Sequence, residues 1–499
     1  MKSDVNLQMC DGPYMKHSFP DIDYALLGYN ILKGYPLAFG HDPGFTFPIF
    51  QADYSSQQQT ADCRYSVPDG VVAIPDVSCV TSFSSKTIQT SYELSNALSV
   101  SANVHGGGFG VQFSASAGYK ESSSVISSGS SIFIISTAQC RYYFVKLVEY
   151  KPPQFSPLFK QWIHKLDQTD NPDVYYEFIE YFGTHYPTEV TFGAKYTYEY
   201  KMSSSDYRTQ TDKGVNVAVS ASYSGMFSVG GGFNMDSSQQ KKASEFAANV
   251  TTRTITIGAP PPANGDAMTW ASSVKDSPVP VKYSLSFIGD LFTSRYMSAL
   301  GVNFEKIRNN LKSYSLKYCD RLKGDGLLDT CTELSPGIVL SSTRLNGHFK
   351  SVSLSYKDCL NECVDHAICT AVSYCISCNS KHYNFYNCYM FTYQDIVSQA
   401  ITDTKWVSVI MTSKIKNQLT ITNGNIVGVK REGIKTNSPE TCRKQCEETI
   451  CLAYTYCKCS SKSYNCFLYA HNRITQVEHK STGDYQTSFL PFTHRNAKK

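Results

Sequence analysis

Two stretches of the chain alternate apolar residues with small or polar ones at a period of two. In the first, Leu98, Val100, Ala102 and Val104 alternate with Ser99, Ser101, Asn103 and His105. Beyond Gly106-Gly107-Gly108 the apolar series continues as Phe109, Val111, Phe113, Ala115, Ala117 and Tyr119. In the second, Val215, Val217, Val219, Ala221 and Tyr223 alternate mainly with Asn216, Ser220, Ser222 and Ser224. Past Gly225 the pattern resumes at Phe227, Val229, Phe233 and Met235. A period of two gives an extended strand one apolar and one polar face. Residues 94–119 and 214–235 contain no Asp, Glu, Lys or Arg. An edge strand in water ordinarily carries charge that blocks aggregation. A strand with lipid on one face and water on the other excludes charge from the lipid side. Each run offers about the 9–11 residues that a tilted strand needs to cross a bilayer. The competing reading is an ordinary sheet with one solvated face.

Between the two runs the period changes. Phe159, Trp162, Ile163 and Leu166 recur at i, i+3, i+4 and i+7, and so do Tyr175, Phe178, Ile179 and Phe182. These predict two helices separated at Asn171-Pro172. The second runs into Tyr181-Phe182-Gly183-Thr184-His185-Tyr186, and a strand pattern follows with Val190, Phe192 and Gly193. On its own, Gly183-Thr184-His185 reads as a helix stop followed by a strand, with His185 a satisfied core histidine and no catalytic residue.

Cysteine divides the chain. Twelve of its 18 cysteines fall between Cys359 and Cys466, and they form a repeat. Cys359, Cys363, Cys369, Cys375, Cys378 and Cys388 are spaced 4, 6, 6, 3 and 10 apart. Cys442, Cys446, Cys451, Cys457, Cys459 and Cys466 are spaced 4, 5, 6, 2 and 7 apart. Ala371-Val372-Ser373-Tyr374-Cys375 matches Ala453-Tyr454-Thr455-Tyr456-Cys457. Six cysteines in about 80 residues suggest a module held by three disulfides, since so short a unit has little core. The Cys-x3-Cys pair puts both sulfurs on one side of a helix, where they could pin it to a sheet. A zinc site at the close pairs Cys375/Cys378 and Cys457/Cys459 is the competing reading, and it would need free thiolates.

Composition narrows the function. Hydrophobic residues make up 41% of the 499, enough for sizeable cores, and the formal charge of +4 is too weak to imply nucleic-acid binding. No run approaches ~18 consecutive apolar residues, so no transmembrane helix is predicted, and any membrane role would use surface binding or β-hairpins. The cysteine cluster implies an oxidising compartment. The opening Met-Lys-Ser-Asp-Val-Asn has no apolar signal core, so the expectation is a leader removed before this numbering begins. Asn249-Val250-Thr251 is a glycan-acceptor triplet. There is no His-Glu-x-x-His, Gly-x-Ser-x-Gly or phosphate loop. Gly106–Gly108 and Gly230–Gly232 lack dinucleotide-loop spacing. The expectation is no enzyme, no metal and no cofactor.

The hexapeptide Tyr181–Tyr186 resembles the signature of the membrane-attack-complex/perforin (MACPF) domain. Gly28-Tyr29-Asn30-Ile31-Leu32-Lys33-Gly34 with Pro36-Leu37, then Asp42-Pro43-Gly44-Phe45, is similar to that family's opening strand and loop. It is closest to the sea-anemone-type and apicomplexan perforin-like versions. Trp270, Ser273, Pro278 and Pro280 look like its closing segment. Gly193-Ala194 and Gly258-Ala259 stand where the family often has paired glycines, which implies a stiffer bend. The cysteine-rich repeats resemble PAN/apple modules.

The resemblance implies an α+β fold: a bent, twisted central antiparallel sheet flanked by helical clusters, followed by two small disulfide-rich modules. The expected boundaries are a MACPF domain at 20–318, a connector at 319–335, and modules at 336–415 and 416–495. It implies hinging at Gly183, Gly193 and Gly258. The two alternating runs would fold as helix clusters in the soluble form, then unfurl as two membrane-inserting β-hairpins. A Gly/Ser/Ala-rich sequence, with weak preference for either state, suits that change. No unpaired edge can stay in lipid, so insertion would need a closed homo-oligomeric ring. The implied protein is secreted, acts at a target cell membrane, and docks through its C-terminal modules on a cell-surface glycan or protein. The alternative is a non-lytic MACPF protein that binds or signals at surfaces.

Overall fold

The structure is a computed structural model. It describes residues 17–36, 42, 44–60, 63–105, 113–127, 131–148, 150–230, 235–263, 266–328, 331, 337–378, 386–392, 400–411, 414, 419–422, 424–427, 432–448, 451, 453–459, 464–469, 476–479 and 485–490.

Three long strands carry the N-terminal part: β3 (Val71–Ile88), β5 (Ser131–Leu147) and β6 (His185–Ser203). They are preceded by short β1 (Leu27–Tyr29) and β2 (Phe45–Pro48). All pair antiparallel in the order β2-β1-β6-β5-β3. The far side of β6 is covered by two shorter strands placed end to end. β7 (Val250–Ile257) pairs with Lys195–Met202, and β8 (Val279–Phe287) pairs with His185–Gly193. Aromatic and β-branched residues fit such a pleated surface. On β6, Val190, Phe192, Ala194, Tyr198, Tyr200 and Met202 are buried on one face.

Helices fill the gaps between strands. α1 (Ser91–Ser101), strand β4 (Ala102–His105) and α2 (Ala117–Ser127) lie between β3 and β5. α3 (Pro157–Asp167) and α4 (Pro172–Phe182) precede β6 and bury Phe159, Trp162, Ile163, Leu166, Tyr175, Phe178, Ile179 and Phe182, the predicted stripes. Each starts with proline behind a capping side chain, Ser156 or Asn171. α5 (Ser204–Asp212), α6 (Val217–Ser228) and α7 (Ser237–Ala247) lie between β6 and β7. α8 (Ala267–Val274) separates β7 from β8, and α9 (Ser294–Met297) leads into α10 (Phe304–Gly324). α10 runs past the boundary expected at 318. Cys319 is buried on it and bonds to Cys331, so the first residues of the expected connector are helix.

The cysteine-rich part forms two sheets. The first repeat supplies β9 (Ile338–Leu345), β10 (Lys350–Val352), α11 (Tyr356–Asp365), β11 (Ala371–Cys375), β12 (Cys388–Phe391) and β13 (Ala400–Ile410). The second supplies β14 (Leu419–Thr422), β15 (Gly424–Val427), β16 (Glu432–Ile434), α12 (Pro439–Glu448), β17 (Ala453–Cys457), β18 (Cys466–Tyr469), β19 (Gln476–His479) and β20 (Tyr485–Phe489). The repeats are not separate sheets. β19 and β15 of the second extend the first repeat's sheet beyond β9. One core joins Leu340, Ala371 and Phe391 to Ile421, Ala453 and Phe489. The disulfides correspond: Cys359–Cys388 with Cys442–Cys466, Cys363–Cys369 with Cys446–Cys451, and Cys375–Cys378 with Cys457–Cys459. The first pair of each repeat ties its helix to a strand. The last joins the close cysteines to each other.

Candidate functional site: the sheet bend and the two segments beside it

The signature hexapeptide is a joint between three elements. Gly183 ends α4 with φ 79° and ψ −177°, its N–H donating to the Ile179 carbonyl at 2.8 Å. That combination is nearly closed to residues with a Cβ, and a Cβ here would strike the Tyr29 backbone. A Cβ on Gly28 would likewise strike the Phe182 carbonyl, so the opening motif and the signature interlock. Thr184 N–H donates to Tyr29 O at 3.0 Å, and Thr184 Oγ1 accepts from Ile31 N–H at 3.0 Å. His185 is buried, its Nδ1 2.9 Å from Thr184 Oγ1, and it faces Tyr29 on β1 and Phe287 on β8. Phe182 and Tyr186 are buried. Tyr181, partly exposed, packs on Phe47 and Trp162.

Register shifts recur at one level, a row across the sheet, with others between Val80 and Ser84 and between Pro187 and Glu189. β3 and β5 change register between Pro75 and Ser78, and β5 and β6 between Arg141 and Tyr143. β6 and β8 shift between Thr191 and Phe192. These levels are adjacent: Ser78 pairs with Arg141, and Arg141 with Gly193. At the same level the outer strand breaks, β7 ending before Gly258 (φ 74°) and β8 beginning at Val279. Bulges bend strands and increase local twist. Trp270, fully buried on α8, donates its indole N–H to Ala259 O at 2.8 Å and fixes the break. Cys79 and Cys140, a directly paired position beside this row, form a disulfide. Lys195, two residues past Gly193, is buried. Burial chiefly, with Lys282 nearby, pulls its pKa down to about 8, against the opposing pull of Asp42.

The helices α1 and α6, which carry parts of the two charge-free runs, pack on opposite faces of the sheet. Neighbouring strand residues point to opposite faces. Ser85 and Ser136 face α6, and Ser84 and Thr137 face α1 across a cavity of about 410 Å³ that Ala97 also lines. α1 begins with a reciprocal cap: Glu93 N–H donates to Thr90 Oγ1 at 3.1 Å, and Thr90 N–H to Glu93 Oε2 at 3.3 Å. Burial raises the Glu93 carboxyl, opposed by backbone donors from Gln89 and Thr90. Leu98 is buried on α1 and Val100 lies on the same helix. Ala102 and Val104 depart from the helical expectation: they belong to β4, which pairs parallel with β8, opposite Tyr283 and Leu285. Phe109 and Val111 lie outside the described residues. Phe113 is buried with φ 64°, and its N–H donates to Ile31 O at 2.6 Å.

In the second run Asn216 caps α6 through Val219 N–H at 3.1 Å, and Asp236 forms a capping box with Gln239 on α7. The buried residues of α6 are Val217, Ser220, Ala221, Ser224 and Gly225, a helical stripe. Its contacts are small and polar. Ser222 Oγ donates to Ser85 Oγ at 2.8 Å, Ser85 Oγ to Ser136 Oγ at 2.7 Å, and Gly225 sits against the Phe83 ring. Such hydroxyl bonds contribute about 0.5–1.5 kcal/mol each, because water replaces them readily. Buried Ser and Gly also bring little apolar area. Val215 and Tyr223 are half-buried and Val229 is buried, while Val219 and Phe227 stay exposed at 39% and 49%. Phe233 lies outside the described residues. The same residues thus carry a helical stripe here and a strand alternation in the sequence.

Sequence reasoning missed three parts of this site. The Thr90-x-x-Glu93 cap was legible as a capping box. The Cys79–Cys140 bond links residues 61 apart and has no local signal. Lys195 stands in a strand pattern, and only the packing of the bend shows its burial.

Residues 19–322 match the MAC/Perforin domain family. Among solved structures, GNIP1Aa from Chromobacterium piscinae is similar over 76% of this chain and 71% of its own, at 14% identity and a TM-score of 0.45. A Bacteroides thetaiotaomicron protein with a MAC/Perforin domain is similar over 61% and 62%, at 9% identity and 0.36. Astrotactin-2, a vertebrate perforin-like membrane protein, is similar over 57% and 98%, at 15% identity and 0.30.

Proposed function

The chain belongs to the MAC/Perforin domain family, a family of perforin-like pore formers, and on that premise we propose that it is a secreted pore-forming protein. It binds a target membrane through its cysteine-rich repeats and assembles side by side into a ring. Each subunit then inserts two amphipathic β-hairpins, drawn from the runs at 94–119 and 214–235. The observation that carries this reading is the double patterning of the second run. α6 buries Val217, Ser220, Ala221, Ser224 and Gly225 at helical spacing, while Val215, Val217, Val219, Ala221 and Tyr223 fall on one face of a strand. Among the described residues no helix is long and apolar enough to cross a membrane. Each run lies within the chain between two strands of the sheet, the first between β3 and β5 and the second, with α5 and α7 beside it, between β6 and β7, so extending these segments would lengthen those strand pairs into hairpins. Backbone pairing then demands closure, because an open edge in lipid leaves N–H and C=O groups unsatisfied.

Dye release from liposomes, with electron microscopy of the same vesicles, tests the proposal. Leakage with rings or arcs is expected. Monomeric binding without leakage would instead favour a surface-binding role without lysis.

A further inference from the structure

Tyr92 stands two residues beyond the Thr90 cap at the head of α1, yet its side chain leaves the sheet that α1 covers. It is buried in the core of the first cysteine-rich repeat, with Cys359, Leu360 and Cys363 of α11. Its hydroxyl donates to Asn361 Oδ1 at 2.8 Å. The seat is braced. Cys359 is bonded to Cys388 on β12, and Cys363 to Cys369 beyond the helix. Lys414 of the same repeat donates from Nζ to the carbonyls of Cys363 at 2.7 Å and His366 at 2.9 Å. Beneath α1, by contrast, the cavity of about 410 Å³ lies between Ala97 and the sheet. Leu94 and Leu98 hold the helix from below, and Tyr92 holds it from above.

We propose that the first cysteine-rich repeat is a clamp on the first charge-free segment. While Tyr92 occupies the repeat, α1 stays helical. Displacing the repeat, when it engages a target surface, frees α1 to extend. This rests on the pore-forming reading, and it adds the coupling between recognition and release. A tyrosine suits the role. Its ring brings a large buried area with one polar handle, so withdrawing it gives up ring burial and the Asn361 hydrogen bond together.

Hydrogen exchange on the full-length protein in solution, without membranes, tests the clamp apart from pore formation. Tyr92→Ala loses both ring burial and hydrogen bond. It is expected to speed amide exchange across residues 91–101 roughly 10- to 100-fold, with residues 172–182 unchanged. Tyr92→Phe and Asn361→Ala remove only the hydrogen bond and are expected to speed it a few-fold. They decide the matter if the alanine variant does not fold. Unchanged exchange at 91–101 in the folded variants overturns the clamp. A second arm joins Tyr92→Cys to Asn361→Cys with a short bismaleimide. Vesicles of equimolar phosphatidylcholine, sphingomyelin and cholesterol then report dye release. The linked protein is expected to be silent where the unlinked one leaks, and equal leakage overturns the clamp. If the wild-type protein itself releases no dye, the pore-forming reading fails and the exchange result still decides the clamp.

Discussion

Gly193 and Gly258 meet at the row where the strands change register: a Cβ on Gly258 would lie 3.0 Å from the Gly193 carbonyl oxygen. Gly193 in turn leaves no room before the Cys140 carbonyl. Three backbones, those of β5, β6 and the β7–α8 junction, thus converge where the sheet bends. A methyl on Gly193 must displace strand backbone, whereas one on Gly258 meets a left-handed φ of 74° and tight but softer neighbours. Gly193→Ala is expected to cost about 2–3 kcal/mol of folding stability and Gly258→Ala about 1–2 kcal/mol. Chemical denaturation of the two variants checks the order. Equal, small losses would mean that the row relaxes freely.

Gly183 tests a different element. Its φ of 79° and ψ of −177° end α4 against Tyr29, about ten residues along β6 from the bulge row. Gly183→Val should therefore act on folding itself. Such backbone strain costs on the order of 1–3 kcal/mol, and the clash adds to it. A thermal transition lowered by roughly 10 °C or lost is expected. A variant with wild-type stability and reduced leakage would instead support hinging at Gly183.

The parts of the fold that were legible are those with local signals. The stripes of α3 and α4 and the proline breaks were read from residue spacing, and the signature from the family resemblance. The helices at 91–101 and 217–228 were legible only through the family resemblance, because strand alternation and helical stripe overlap on the same residues there. Thr90, Asn216 and Asp236 decide for helix in this state, since each satisfies amide groups that a strand would leave to a neighbour. The bulge row was not legible. It is set by register between strands some 60 residues apart, and of its residues only Gly193 and Gly258 were named, through the family resemblance. The union of the two repeats into shared sheets was equally hidden. β15 and β19 are short, and nothing in their sequence says which repeat's sheet they complete.

Lys195 gives the bend a pH dependence. Its pKa falls from 10.5 to about 8 on burial, so between those values the unfolded chain holds more protons than the folded one. Stability then rises with pH across that window, and below about pH 8 the full penalty of a buried ammonium persists. Lys195→Met removes a penalty on the order of 3 kcal/mol. It is expected to be more stable than the wild type at pH 7, with the difference shrinking from pH 8 and vanishing near pH 10.5. Denaturation at several pH values measures this. A constant difference would assign the effect to packing and not to charge.

Two neighbouring residues of α6 separate its helical role from its proposed strand role. Val219 is exposed at 39% in the helical form, and Ala218 beside it is half-buried. In solution, then, a lysine is easier to accommodate at Val219 than at Ala218. On an inserted strand the order reverses. Val219 shares the face of Val217, Ala221 and Tyr223, which meets lipid, and Ala218 shares the face of Asn216, Ser220 and Ser222, which meets water. Val219→Lys is expected to leave the melting temperature and membrane binding unchanged, yet to cost roughly 2–4 kcal/mol per subunit near the bilayer midplane. Summed around a ring, that stops dye release. Ala218→Lys is expected to lower stability slightly, by up to about 1 kcal/mol, and to leak at close to the wild-type rate. Single-cysteine probes at Val217, Ala218, Val219, Ser220 and Ala221 would show the change of period directly. Burial in solution should follow the helical stripe, and lipid contact after insertion should alternate. Two lysine variants that leak equally, or probes that keep the helical pattern on membranes, would make α6 a permanent helix and withdraw the second hairpin.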